Sequence, residues 1–300
     1  MSEEEKKHEG CCGGHHEDGH CCSGHDHGHD EHHECCGRGH EHGDDHECCG
    51  GHGHEGGNEG GCCGNHGHEG SCCCGHHHHT PSDGEDQVRM FVVGQLQTNC
   101  YAYISQGECL VVDPGASGVG IAKHLEDVRI KSIVATHGHG DHVGGVLSLQ
   151  RVTGARFMMH EADVELASHA GEASEQGRTY DNNAPAPDQL LCEGDVIELG
   201  TARFRVIEAP GHTPGGIVLL GEGTALGLAF VGDTLFKGSC GRTDLAGGSH
   251  ELMMQTLARL KELVPAHTTL LCGHGDITTM EDELAYNPWL QDGVVSDGIH

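Results

Sequence analysis

The chain has 300 residues, enough for one large domain or two small ones. Its formal net charge of -31, from 47 Asp and Glu against 16 Lys and Arg, argues against nucleic-acid binding and against a polybasic membrane anchor, because both need clustered cations. No apolar run approaches the roughly 18 residues of a membrane span, and the start MSEEEKKHEG lacks the basic-then-apolar pattern of a secretory signal, so a cytoplasmic protein without nucleic-acid or membrane partners is expected.

The first element in chain order is a tail, residues 1 to 84. Ahead of its linker the only apolar side chains are Met1 and the cysteines. Such a segment cannot bury a core to offset its ordering entropy, and it is expected to be disordered without metal. Of the chain's 18 Cys and 31 His, 13 Cys and 20 His lie here. The Cys fall in doublets, from Cys11-Cys12 to Cys62-Cys63, and end in the triplet Cys72-Cys73-Cys74. His-x-His and His-His runs, such as His25, His27 and His29, lie between them. An odd cysteine count in a reducing compartment argues against a disulfide framework. The lack of any C-x-x-C argues against a zinc finger. Dense thiols and imidazoles bind soft and borderline cations such as zinc, nickel and copper, so the tail is expected to hold further metal. His76 to His79 look like a purification tag but sit inside the same pattern.

Thr80-Pro81-Ser82-Asp83-Gly84 reads as a linker, and residues 85 to 300 as one folded domain able to bury roughly 70% of its surface. Its apolar runs predict strands at Val88 to Val93, Tyr101 to Ile104, Cys109 to Val112, Ile130 to Ala135 and Arg156 to Met159. Further strands are expected at Val196 to Leu199, Ala202 to Ile207, Ile217 to Leu220, Leu226 to Val231 and Thr269 to Cys272. Helical spacing appears at Val119 to Asp127, Val143 to Val152, Glu161 to His169 and His250 to Leu263. Many short strands with interspersed helices suggest α/β sheets covered by helices.

Four segments carry chemistry, and three of them directly follow a predicted strand. The first is Thr136-His137-Gly138-His139-Gly140-Asp141-His142. Its glycines permit sharp turning, and alternate residues of an extended stretch share a face, which suits His137 and His139 to one cation and Asp141 and His142 to another. The second, Pro210 to Gly216, lies between two strands and supplies His212. The third is Gly232-Asp233-Thr234, where a carboxylate could bridge, although Asp there also suits a plain Asx turn. The fourth is Cys272-Gly273-His274-Gly275-Asp276. The expectation is two cations with N and O ligands: His137, His139 and His212 on one, Asp141, His142 and His274 on the other, Asp233 between them. A water shared by two such ions is acidified enough to supply hydroxide at neutral pH, with Asp141 orienting it.

The order THGHGDH, PGHTPGG, GDTLFKGSCGRTDLAGG, CGHGDITTMEDELAYNP resembles the metallo-β-lactamase superfamily, and within it the short glyoxalase II-like hydrolases of bacteria. The resemblance covers about residues 88 to 290. It implies an αββα sandwich that hydrolyses a thioester such as S-lactoylglutathione, with two zinc ions, iron or manganese being tolerated. It also implies that Arg242, in Gly241-Arg242-Thr243-Asp244, pairs with a carboxylate of a glutathione-derived substrate. A full-length glyoxalase II carries a C-terminal helical domain, and a resemblance that ends near residue 290 implies that most of it is not expected here. Three rivals stand beside this reading. A mononuclear iron persulfide dioxygenase shares a GCGRTD motif close to residues 239 to 244, but it lacks the second-metal histidine that His274 supplies here. A β-lactamase shares the first loop but fits the later motifs less well. A protein that only stores or buffers metal through its tail leaves the complete ligand set unexplained.

Overall fold

The computed structural model describes residues 86–172 and 180–291. The tail and linker expected at 1 to 84 lie outside the described residues. In chain order the first sheet is built from β1 (Gln87–Val93), β2 (Thr98–Ser105) and β3 (Glu108–Val112), then α1 (Gly118–His124) and β4 (Arg129–Val134). Two helices follow, α2 (Gly140–Val143) and α3 (Val146–Thr153), then β5 (Arg156–His160), α4 (Val164–Ser168) and β6 (Gln189–Leu191). Its strands lie side by side in sequence order. The first three are antiparallel and the pairs from β3 to β6 parallel, as strands joined through helices must be.

The second sheet takes β7 (Val196–Leu199), β8 (Ala202–Glu208), β9 (Ile217–Gly223) and β10 (Leu228–Gly232). A hairpin of β11 (Leu235–Phe236) and β12 (Ser239–Cys240) and the helix α5 (His250–Leu263) lead to β13 (Thr269–Cys272), β14 (Thr278–Thr279) and α6 (Met280–Tyr286). The spatial order is β14-β13-β10-β9-β8-β7, with β10 and β13 parallel across the α5 crossover.

Strand alternation separates three apolar layers. On β2, Tyr101 and Tyr103 face one way, and Cys100, Ala102 and Ile104 the other. The first set joins Leu110, Val112, Phe204, Val206, Leu219 and Phe230 in a core between the sheets. There Tyr103 meets Phe204 edge-on at 4.9 Å. The second set packs with Ile121, Val146 and Leu149 of the first sheet's helices. The outer face of the second sheet supplies Val218, Ala229 and Leu270 to Met253, Leu257 and Leu260 of α5. Helix, sheet, sheet and helix are therefore stacked as an αββα sandwich. Each fully buried Phe or Leu in these layers contributes about 1.5–3 kcal/mol of burial.

Two predicted helices differ in instructive ways. The one expected at 143 to 152 starts only at Val146, because Gly144 and Gly145 press against the loop after β3. A Cβ on Gly145 would lie 2.5 Å from the Pro114 carbonyl. The one expected at 161 to 169 opens as a tight turn, Glu161–Asp163, before α4, with the Asp163 side chain turned inward to neighbouring loops.

Candidate metal centre

The first loop leaves β4 at Ala135 and runs into α2, with His139 as the residue before that helix. His137 and His142 are buried. The second loop joins β8 to β9 and carries His212; the third follows β10 and carries Asp233; the fourth follows β13 and carries His274. Residues far apart in sequence thus arrive at one end of the sandwich, where strands of both sheets finish. Three groups have ligand atoms all within 4.8 Å of one another: His137, His139 and His212; His137, His142 and Asp233; Asp141, His142 and His274. All seven residues expected from the sequence meet, and Asp233 stands between the two outer groups.

The contacts are those of donors aimed at common points. His139 Nδ1 lies 2.9 Å from His212 Nε2, and His142 Nε2 lies 3.3 Å from His274 Nε2. Asp141 Oδ2 is 3.1 Å from His274 Nε2 and 3.4 Å from His142 Nε2. Asp233 reaches His142 with Oδ1 at 3.4 Å and His212 with Oδ2 at 3.5 Å. Among the described residues, His137 Nε2 and Asp233 Oδ1 are buried without a hydrogen-bond partner. Buried polar atoms are seldom left so. Two such atoms, both members of the groups just named, fit cations held by imidazole nitrogen and carboxylate oxygen.

The electrostatics divide the donors into imidazoles held neutral and imidazoles drawn toward charge by the carboxylates. Burial, and then the neighbouring imidazoles, hold His137 far below the usual histidine range and His139 down to about 3. A neutral imidazole is the ligating form. Burial also opposes charge on His142, but the carboxylates of Asp141, Asp233 and Asp113 outweigh it and raise its pKa. For Asp141, burial is outweighed by His142 and His274, which keep it ionised.

Four residues that sequence reasoning passed over organise the donors. Asp113 directly follows β3, with φ +53°. Its carboxylate accepts from the Thr136 backbone N–H and hydroxyl, each at 2.7 Å, and from His142 Nδ1 at 2.9 Å. That leaves Nε2 of His142 directed at the centre. The others are Thr98, Asn99 and Asp163, which bond the loops themselves. A strand-end carboxylate in Val112-Asp113-Pro114-Gly115 is the same signal that marked Asp233 and could have marked Asp113.

Arg242 stands differently. Its backbone carbonyl accepts from His212 Nδ1 at 2.7 Å. Its exposed guanidinium is tied to Asp244 by two bonds of 2.6 and 2.7 Å, which lower the Asp244 carboxyl to about 2. A groove of about 630 Å³ between α1, β4 and β5 contains none of the seven donors, so the geometry of the donors, not the size of a cavity, marks the centre.

Comparison with known proteins agrees with this geometry. Residues 93–274 match the model of a family described as the metallo-beta-lactamase superfamily. An Aquifex aeolicus protein described as uncharacterized is 38% identical over 207 residues, covering 67% of this chain and 96% of the relative. The hydroxyacylglutathione hydrolase GloC of Haemophilus influenzae is 30% identical over 210 residues, covering 68% of this chain and 97% of the relative. Among solved structures, TTHA1623 in a di-iron-bound form superimposes with a TM-score of 0.61 at 31% identity, over 67% of this chain and 100% of that one. In all three cases the match spans nearly the whole relative and only about two thirds of this chain.

Proposed function

The chain belongs to the metallo-β-lactamase superfamily, and from that membership we propose that it is a two-metal thioester hydrolase acting on S-lactoylglutathione-like compounds. The observation that carries the reading is the convergence of seven N and O donors in groups linked through His137 and His142, with two buried acceptors otherwise unpartnered. The GloC relative supports the thioester class. His137, His139 and His212 would hold one ion, and Asp141, His142 and His274 the second, with Asp233 between them. Zinc suits this donor set, and iron is also compatible, as the di-iron form of TTHA1623 illustrates for that protein. When bound, the ions supply Lewis-acid polarisation of the carbonyl and a water acidified enough to react near neutral pH.

The remaining work falls to side chains of this chain. Asp141, ionised and fixed by Thr98 and His274, orients the attacking water. Asp113 accepts from His142 Nδ1, which would leave Nε2 for an ion. The leaving group is a thiolate, whose parent thiol has a pKa of about 8.5, so it departs without a general acid. Arg242 is the proposed partner of a substrate carboxylate. Its ion pair with Asp244 is exposed and therefore worth little, which leaves the guanidinium free to exchange partners. In this reading residues 85 to 300 are the catalytic domain, and residues 1 to 84 are a segment holding further metal on 13 Cys and 20 His.

The test is turnover of S-lactoylglutathione by the full chain, with oxygen uptake on glutathione persulfide measured in parallel. Chelator-sensitive thioester hydrolysis supports the proposal. Oxygen uptake by a protein carrying one iron would replace it with the persulfide dioxygenase reading.

A further inference from the structure

The donors ride on loops from both sheets, and two buried hydrogen-bond clamps tie those loops in pairs. The first clamp is Asp163, which is fully buried. One carboxylate oxygen accepts from the Gly138 N–H at 2.8 Å, and the other from the Gly215 N–H at 2.6 Å. Gly138 separates His137 from His139, and Gly215 lies just beyond His212. The approach is close enough to need glycine on both sides. A Cβ on Gly138 would lie 2.7 Å from the Asp163 carbonyl oxygen, and one on Gly215 would lie 2.7 Å from the Asp163 nitrogen. Both bonds of this carboxylate therefore fall on the loops that carry His137, His139 and His212.

The second clamp is the dipeptide Thr98-Asn99 at the start of β2, also buried. The Thr98 hydroxyl donates to Asp141 Oδ2 at 3.0 Å. Asn99 donates through Nδ2 to the carbonyls of Cys272 and Gly275, at 3.1 and 3.0 Å, and through its backbone N–H to the Gly273 carbonyl at 2.7 Å. Those three carbonyls bracket His274. Two consecutive residues thus hold Asp141 from the first loop and His274 from the fourth.

We propose that each ion position has its own positioning device: Asp163 sets the affinity of the His137, His139 and His212 group, and Thr98-Asn99 sets that of the Asp141, His142 and His274 group. The inference rests on the two-metal reading. Neither device contains one of the seven metal-ligand residues, and the two share no hydrogen-bond partner, so their effects should be separable. Residues that orient ligands from behind typically change metal affinity by about 10- to 100-fold when altered. The consequence is that single substitutions outside the ligand set convert a two-metal protein into a one-metal protein, and which ion is lost depends on the clamp that is broken.

The experiment is cadmium-113 NMR of the full chain, titrated in a cadmium buffer. Thiolate-bound cadmium resonates far downfield of cadmium bound only by nitrogen and oxygen, so metal on the Cys of residues 1 to 84 does not obscure the centre. Wild type should give two resonances of the nitrogen and oxygen class that are lost in His137→Ala/His274→Ala protein, which sets them apart from cadmium on the 20 His of residues 1 to 84. Thr98→Val should raise, by about 10- to 100-fold, the cadmium activity needed for one of them while leaving the other in place. Thr98→Ser, which keeps the hydroxyl, should restore it, a rescue that a merely structural role for the methyl would not give. Asp163→Asn should weaken the opposite resonance. If Thr98→Val weakens both resonances alike, or neither, separate positioning is overturned, and that pair decides the matter even should Asp163→Asn not fold. A single such resonance in wild type overturns the two-metal reading itself, an outcome distinct from the failure of the clamps.

Discussion

Asp113→Asn isolates the contribution of one buried carboxylate to metal binding. The substitution suits the site because Asn tolerates the left-handed backbone that Asp113 adopts at φ +53°, so the turn after β3 is retained. In wild type one oxygen accepts the Thr136 N–H, and the other accepts both the Thr136 hydroxyl and His142 Nδ1. An Asn that keeps its oxygen on the Thr136 N–H turns its NH2 toward the other two. The Thr136 hydroxyl can rotate and accept. His142 has no such freedom when Nε2 serves as a ligand, because its remaining proton is then on Nδ1, facing another donor. An unsatisfied buried donor costs about 1–3 kcal/mol, and 1.4 kcal/mol is tenfold in affinity. The free-metal concentration that half-restores thioester turnover to metal-free protein should therefore rise by about 5- to 150-fold, with maximal turnover recoverable at high metal. The measurement uses a chelator-buffered metal series, so that metal on the tail does not alter the free concentration. An unchanged midpoint would refute the idea that Asp113 sets the ligating tautomer of His142.

Asp141→Asn should leave the fold intact and lower thioester turnover at least about 100-fold, since it removes a ligand charge and the group that orients the nucleophile; circular dichroism and initial rates check both halves. Arg242→Ala should raise KM for glutathione thioesters more than it lowers kcat and leave unfolding midpoints unchanged, because the pair with Asp244 is exposed; an equal effect on thioesters without glutathione would make the residue structural. Iodoacetamide at pH 8 should modify the 13 Cys of residues 1 to 84 and spare Cys109 and Cys272, which burial pushes up to about 12 and so keeps in the unreactive thiol form. Metal content should then fall by the metal held on those Cys, with turnover retained, as read by peptide mass spectrometry and elemental analysis.

How far the sequence could be read follows from the range of the forces involved. Helix α5 was legible to both ends, His250–Leu263, because a long amphipathic repeat opens at Ser249, whose hydroxyl accepts the Leu252 N–H. Strands β7 and β13 match their apolar runs, Val196–Leu199 and Thr269–Cys272. Strands β6, β11, β12 and β14 were not legible, since two or three residues carry no periodicity and are paired only by what lies beside them. Helix α6 is a different omission: Thr279 accepts the Asp282 N–H, a capping pattern visible in Thr279-Met280-Glu281-Asp282 but unread for want of a longer apolar stripe.

The centre divides along the same line. His137, His139, Asp141, His142, His212, Asp233 and His274 were legible because clustered imidazoles and carboxylates after strands are rare unless chemistry needs them. Thr98, Asn99 and Asp163 are ordinary residue types whose importance comes from contacts across the fold. Asn99 meets Cys272 from the far side of the chain, and Asp163 meets Gly215 on the second sheet's side of the centre. A donor announces itself by its own chemistry, whereas a positioning residue is defined by the loop it bonds. No pattern local to residues 95–102 encodes which loop will lie opposite. It follows that relatives could keep every donor and still differ in the affinity of each ion through changes at Thr98, Asn99 or Asp163. A ligand motif alone would therefore overstate how alike two such centres are, and the number of ions held at a given metal activity has to be measured chain by chain.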